Sequence, residues 1–245
     1  MNMHHKAPNF KNPSALIAAC VIRGGSFHGQ FPAEKDRRVL LASHELGLNG
    51  APIVLLYLAR SLRRMGWQPV LIAPVAGPLL DTLVRESFPV LICPKVTENN
   101  VLLRSAGLFR FVVLNTLVFA KAAAALNGSD TRVLWWVHEA EEIYHSDFAQ
   151  SMPPHLSSNI MVYADSPRSR EHLLRHNPDY FVGIMPFSIP DAAEKAVESF
   201  PLSPSAAGKH VFALVATVER RKGQDVLLDA VELLPKDAAK QCFTI

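Results

Sequence analysis

Three short stretches of this chain carry residue types able to do chemistry. The first is His138-Glu139, directly after the apolar run Val133-Leu134-Trp135-Trp136-Val137. A histidine just past a buried strand can donate to a ligand hydroxyl or phosphate, or act as acid or base near neutral pH. Glu139 beside it is a candidate to orient it. The second is Arg220-Arg221-Lys222-Gly223, between an apolar run and a helical pattern. Cations placed there can neutralise a departing diphosphate as negative charge develops. The plainer alternative is a solvent-facing charge run. The third is Gly47-Leu48-Asn49-Gly50-Ala51. Gly50 at a helix start lets a sugar or phosphate approach backbone N–H groups, whereas an ordinary turn would use a glycine for a left-handed residue.

The elements that position these stretches follow a strand–helix grammar. Short apolar runs at 39–43, 68–73, 90–93, 111–114, 132–137, 159–164 and 180–185 read as buried strands. Helical patterns lie between them. Pro52 opens one whose apolar face carries Val54, Leu55, Leu58, Ala59 and Leu62, and Gly66 fits its C-terminal cap. Asn115-Thr116 starts an alanine-rich helix, and Asp165-Ser166-Pro167 caps another. The expected fold class is α/β: a Rossmann-like parallel sheet with helices on both faces, followed by an incomplete second α/β domain. In such sheets ligands bind beyond the carboxyl ends of the strands. Gly47–Ala51, Asn115-Thr116, His138-Glu139 and Asp165-Ser166 all fall at that edge.

Residues 1–36 read as a leader or loosely packed extension. Residues 37–190 form the first domain and the Ala-, Ser- and Pro-rich stretch 191–209 a linker. Residues 210–245 supply the first strand, loop and helix of a second domain. The apolar run of that strand is expected to reach Val218.

Composition sets outer limits. In 245 residues, 49% are hydrophobic and 19% charged, which is globular rather than disordered. A formal net charge of +3 does not argue for nucleic acid. Cys20, Cys93 and Cys242 show no paired spacing, so a reducing, cytoplasmic setting is expected. The apolar stretch 15–22 is too short to span a bilayer. Arg60, Arg63 and Arg64 beside an apolar helix face fit peripheral membrane contact or an ordinary amphipathic helix. Neither a Walker loop nor a GxGxxG fingerprint is present, which disfavours a P-loop ATPase and a Rossmann oxidoreductase. HExxH is absent, and no metal site is read.

In order and spacing these stretches resemble the retaining GT-B glycosyltransferases of the family 4 type. The resemblance covers roughly residues 37 to 235. Val39 to Gly66 looks like the opening strand, Gly-Ala loop and helix of that family. Leu134 to Glu139 looks like the strand ending in its active-site histidine. Ile184 to Ile189 resembles the exit from the domain, with Phe187-Ser188 in place of the usual Asn-Gly. Leu214 to Leu234 looks like the start of the donor-binding domain, with Thr217 where many members carry an arginine.

The resemblance implies two domains facing a cleft, acceptor mainly on the first and nucleotide sugar on the second. It implies catalytic roles for His138 and Lys222. It places donor contacts at Gly50, Ala51, Arg220, Arg221 and Lys222, and acceptor-side contacts at Asn49, Asn115, Thr116, Glu139 and Ser166. No resident cofactor is implied, the nucleoside-diphosphate sugar being a substrate. Partners would be that donor and a glycan, lipid or small-molecule acceptor, with no nucleic acid. The later paired-glutamate signature of the family is expected beyond Ile245, in a missing C-terminal half. The alternatives are a non-catalytic GT-B-like binding module and a sugar-nucleotide epimerase of the same architecture.

Overall fold

The computed structural model describes residues 9–97, 101–139, 144, 146–188, 204–216, 218, 220–240 and 242–244. They fall into two compact units, divided between Ile189 and Pro190.

The first unit is a sheet of eight strands. These are β1 (Ser26–His28), β2 (Arg38–Ala42), β3 (Gln68–Ala73), β4 (Val90–Ile92), β5 (Phe111–Asn115), β6 (Arg132–Val137), β7 (Ile160–Ala164) and β8 (Val182–Ile184). Their spatial order is β1-β4-β3-β2-β5-β6-β7-β8. All neighbouring pairs are parallel except β1 with β4. Strand order runs outward in both directions from β2, so the topological switch point lies between β2 and β5.

Burial on both faces explains the continuous apolar runs. Val39 and Leu41 of β2 pack into one core with Leu55, Ala59 and Leu62 of α2 (Gly50–Arg64) and Leu79 and Leu83 of α3 (Leu79–Arg85). Leu40 and Ala42 point the other way. They meet α1 (Pro13–Ile22), α4 (Val101–Ser105) and α5 (Ala120–Leu126) through Leu16, Leu102 and Ala123. Beyond these, α6 (Asp147–Gln150) and α7 (Pro167–His176) follow β6 and β7.

Helix ends are set by local chemistry. Ser166 accepts the N–H of Ser169 at the start of α7, and Pro167 occupies the first turn. Gly66, at φ 82°, turns the chain out of α2 while the Trp67 N–H returns to Leu62 O at 2.9 Å. Arg60 makes paired bonds to the Glu86 carboxylate, and Arg63 donates to its backbone carbonyl. Two of the three basic residues considered for membrane contact thus tie α2 to the end of α3. That favours the ordinary amphipathic helix. Among the described residues no helix is long and apolar enough to cross a membrane.

The expectation of a loose extension over 1–36 is corrected for residues 9–36. Leu16 and Cys20 of α1 are fully buried, and β1 pairs with β4 from Ser26↔Ile92 to His28↔Val90. A three-residue strand between glycines has too little periodicity to be seen alone. The strand expected at 180–185 is shorter, at Val182–Ile184. The helix expected after Asn115 begins as a 3-10 turn, Leu117–Phe119, before α5. The stretch expected to be helix or loop over 141–150 holds a short helix at Asp147–Gln150, with residues 141–143 and 145 outside the described residues, as is most of the linker 191–209.

The second unit holds β9 (His210–Phe212), α8 (Gln224–Glu232), α9 (Lys236–Lys240) and β10 (Cys242–Thr244). β9 and β10 pair in parallel. The strand expected to run to Val218 stops at Phe212. Arg220–Lys222 form a 3-10 turn, and Gly223 at φ 74° leads into α8. A strand, a basic turn, helices and a parallel strand follow the order of an α/β unit.

Gly25 tests the docking of residues 9–36. A Cβ there would lie 1.9 Å from Ile92 O and 2.8 Å from Cys20 O, both backbone atoms. We expect Gly25→Ala to cost about 1–3 kcal/mol in urea unfolding, as overpacking does. An unchanged midpoint would mean that α1 and β1 do not close against the sheet in solution.

Candidate functional site

Parallel register brings the strand ends into step. Ala42 pairs with Leu114, Asn115 with Trp136, and Val137 with Ala164. The residues that follow, His44, Thr116, His138 and Asp165, therefore emerge along one edge beside the switch point.

Asn115 is fully buried and joins two parts of this edge. Its Nδ2 donates to Ala51 O at 3.0 Å, in the first turn of α2. Its Oδ1 therefore faces His138 Nε2, 2.7 Å away. An oxygen can only accept, so Nε2 carries a proton. The other ring nitrogen, Nδ1, lies 3.5 Å from Asp165 Oδ2. Asp165 is in turn held by the Ser169 hydroxyl, which donates to Oδ1 at 2.6 Å. Burial works to raise the Asp165 pKa. Hydrogen bonds from His138, Ser169 and Ser166 more than offset it, and the carboxyl sits below its ordinary value. Trp136 and Phe187 flank the imidazole, with ring centroids 4.7 and 6.4 Å from it.

Glu139 does not reach the His138 ring. Its carboxylate accepts the backbone N–H of Leu117 and of His138, each at 2.9 Å. It caps the turn before α5 and fixes the His138 backbone. Burial pushes its pKa up, and those backbone donors pull against the rise.

Thr116 is strained. At φ 88° and ψ 164° it occupies a region nearly confined to glycine, at a cost of about 1–3 kcal/mol. It is held there from both sides. Its N–H donates to Trp136 O at 2.8 Å, and its carbonyl accepts Trp135 Nε1–H at 2.9 Å.

The turn explanation for the glycine loop fails. Neither Gly47 nor Gly50 has a positive φ. A Cβ on Gly50 would meet nothing within 4 Å, so no contact within the chain requires glycine there. Asn49 makes no capping bond to α2; its amide goes to the Glu45 carboxylate instead. The amino end of a fifteen-residue helix is thus left without a side-chain cap. Backbone N–H groups there, with the helix dipole, suit an anion.

The structure brings Asn49, Gly50, Ala51, Asn115, Thr116, His138, Glu139 and Ser166 to one edge. It gives Glu139 and Ser166 capping roles. Arg220, Arg221 and Lys222 belong to the second unit, where Arg220 and Lys222 are exposed and the Arg221 side chain lies outside the described residues. Asp165 was placed at the ligand edge and read as part of a helix cap, without its contact to His138. His44 escaped the sequence reading, and its one signal was position, two residues past a buried strand.

A mostly parallel sheet with a polar carboxyl edge, an uncapped helix start and a pinned histidine defines a Rossmann-like ligand-binding domain. Residues 35–172 match the family described as Glycosyl-transferase family 4. That is more than half of the chain, and the chain belongs to this family. Two solved structures of Anabaena Alr3699/HepE, one in complex with UDP and glucose and one with UDP-glucose, share the fold. Each superposes with a TM-score of 0.62 at 16% identity, covering 84% of this chain and 59% of theirs. The chain thus spans about three fifths of the length of these neighbours. No curated protein matches it.

The depressed Asp165 pKa has a definite sign in stability. Its contribution is present above the unfolded value of about 3.9 and is lost as pH falls through the lower folded value. Comparing wild type with Asp165→Asn in urea should therefore show a gap at neutral pH that closes in acid. A gap that persists below about pH 2 would mean that the carboxylate charge is not what stabilises the fold.

Proposed function

We propose that the chain is part of a retaining glycosyltransferase that moves a sugar from a nucleoside-diphosphate donor to an acceptor hydroxyl. The observation that carries this reading is the chain of bonds Ala51–Asn115–His138–Asp165 beside the open start of α2. It fixes a histidine with a proton on Nε2 next to a helix end built to receive an anion. In the reaction the bond from the sugar C1 to the diphosphate breaks, a bond from C1 to the acceptor oxygen forms, and the hydroxyl proton is released.

In this reading His138 binds and orients the transferred sugar, with Asp165 as counter-ion when the ring is charged. The α2 start, with Gly50 and Ala51, lies against donor phosphate. Lys222, helped by Arg220 or Arg221, neutralises the leaving diphosphate. The first unit takes mainly the acceptor, and the second unit supplies further donor contacts. UDP is the first nucleotide to try, because HepE was crystallised with UDP and with UDP-glucose. A cytoplasmic setting belongs to the same reading.

The test is UDP titration by calorimetry. The Cβ of Gly50→Ala meets nothing in the fold, so this variant should unfold at the wild-type midpoint or slightly above it. Its UDP affinity should fall about tenfold, or about 1.4 kcal/mol, because the methyl occupies the phosphate approach. Lys222→Ala should weaken UDP by a similar factor. With UDP-glucose as donor, His138→Ala should lower UDP release strongly without altering stability by more than its lost hydrogen bond. Absence of UDP binding, or equal binding by Gly50→Ala, would overturn the reading.

A further inference from the structure

A second imidazole stands in the same edge. His44 follows β2 by two residues, half-buried, with its side chain 25% exposed. Its surroundings differ from those of His138. Among the described residues its nearest polar neighbours are loose. Glu45 Oε1 is 3.5 Å from Nε2, and Thr116 Oγ1 is 3.5 Å from Nδ1. Both contacts lie at the long limit of hydrogen bonding. His138 spends Nε2 on Asn115 at 2.7 Å, whereas both ring nitrogens of His44 have only long contacts.

A carboxylate can only accept, so Glu45 draws the ring proton to Nε2. That leaves Nδ1 as an acceptor beside the strained Thr116. Glu45 is itself anchored by the Asn49 amide, so the ring is tied to the uncapped start of α2. A ligand hydroxyl resting on this edge would compete with the Thr116 hydroxyl for the long contact at Nδ1.

We propose that His44 is a substrate-contacting residue whose neutral imidazole accepts a hydrogen bond, through Nδ1, from a sugar hydroxyl on the acceptor side. This rests on the glycosyltransferase reading and deepens it, by naming the contact that selects a hydroxyl-bearing acceptor. The charged groups reaching the ring are Glu45 from its own loop and His138 from the end of β6. Burial lowers the His44 pKa, the Glu45 carboxylate opposes this, and His138 adds to the lowering. The neutral form is therefore the one that meets a ligand at neutral pH. Protonation converts Nδ1 from acceptor to donor and removes the contact.

The experiment follows histidine ring nitrogens by long-range proton–nitrogen NMR in the whole chain with saturating UDP. Glucose, galactose, mannose and N-acetylglucosamine are titrated in separately. At least one sugar should shift the His44 Nδ1 signal, and the bound form should keep its proton on Nε2. His44→Ala should weaken that sugar by about tenfold or more, while His44→Asn, which restores an acceptor oxygen, should recover most of the affinity. Wild-type affinity should fall as pH drops from about 8 to about 5, and the Asn variant should show a flat profile. UDP affinity should be the same in all three proteins. The proposal is overturned if no sugar moves His44, if His44→Ala binds as wild type does, or if the pH dependence survives in His44→Asn, which would assign it to His138. Failure of wild type to bind UDP would instead sink the donor reading, and the sugar titration without UDP would then decide the role of His44 alone.

Discussion

A single buried amide holds the two halves of the candidate site in register. Asn115 ends the central strand β5, carries no exposed surface, and spends both ends of its side chain. One end holds the first turn of α2 through Ala51 O, and the other fixes the His138 ring through Nε2. Removing it would leave a carbonyl and a ring N–H without partners, each costing about 1–3 kcal/mol if still buried. An aspartate could not donate to Ala51 O unless protonated, and a leucine could do neither. The α2 start and the imidazole are therefore not independently placed.

What makes this amide effective is the sheet. Parallel register sets Ala42 beside Leu114 and Asn115 beside Trp136, so the loops after β2, β5 and β6 begin at nearly one level. Thr116 then has to leave β5 sharply, and its backbone adopts a conformation that a β-branched residue resists. The strain persists because two tryptophan-strand groups bond its N–H and carbonyl. Glu139 completes the arrangement from the next loop, by capping the turn that starts at Leu117. Each loop at this edge is held by a neighbouring loop or strand, and the site inherits the stiffness of the sheet beneath it.

The sheet was legible in the sequence because its central strands, β2 to β5, are buried on both faces, and β6 to β8 beyond them still read as short apolar runs. The eighth, β1, is three residues long at an edge and half-buried, so nothing local distinguished it from loop. Position past a strand end brought Asn115, Thr116 and His138 to notice, but it could not say how each would be used. Glu139 stands next to His138, yet its carboxylate turns to backbone N–H groups, because the buried helix start at Leu117 lies within reach. Ser166 was legible both as a cap and as a ligand contact, and the N–H of Ser169 took it. His44 passed unnoticed because it belongs to no periodic pattern. Apart from the adjacent Glu45, its surroundings come from residues more than seventy positions away, which pattern reading cannot supply.

The departure from the family wording at Phe187-Ser188 becomes intelligible in the same terms. An Asn-Gly pair at a domain exit supplies turn chemistry and no packing surface. Here Met185 O accepts Trp136 Nε1–H at 3.1 Å, which binds the departing chain to β6. Phe187 then lies near His138, with ring centroids 6.4 Å apart at 61°, while remaining 47% exposed. The imidazole is thus bounded by two aromatic rings, an amide oxygen and a carboxylate. The departure from Asn-Gly thus adds an aromatic neighbour to an imidazole already bonded at Nε2, whereas the ring of His44 has only long contacts.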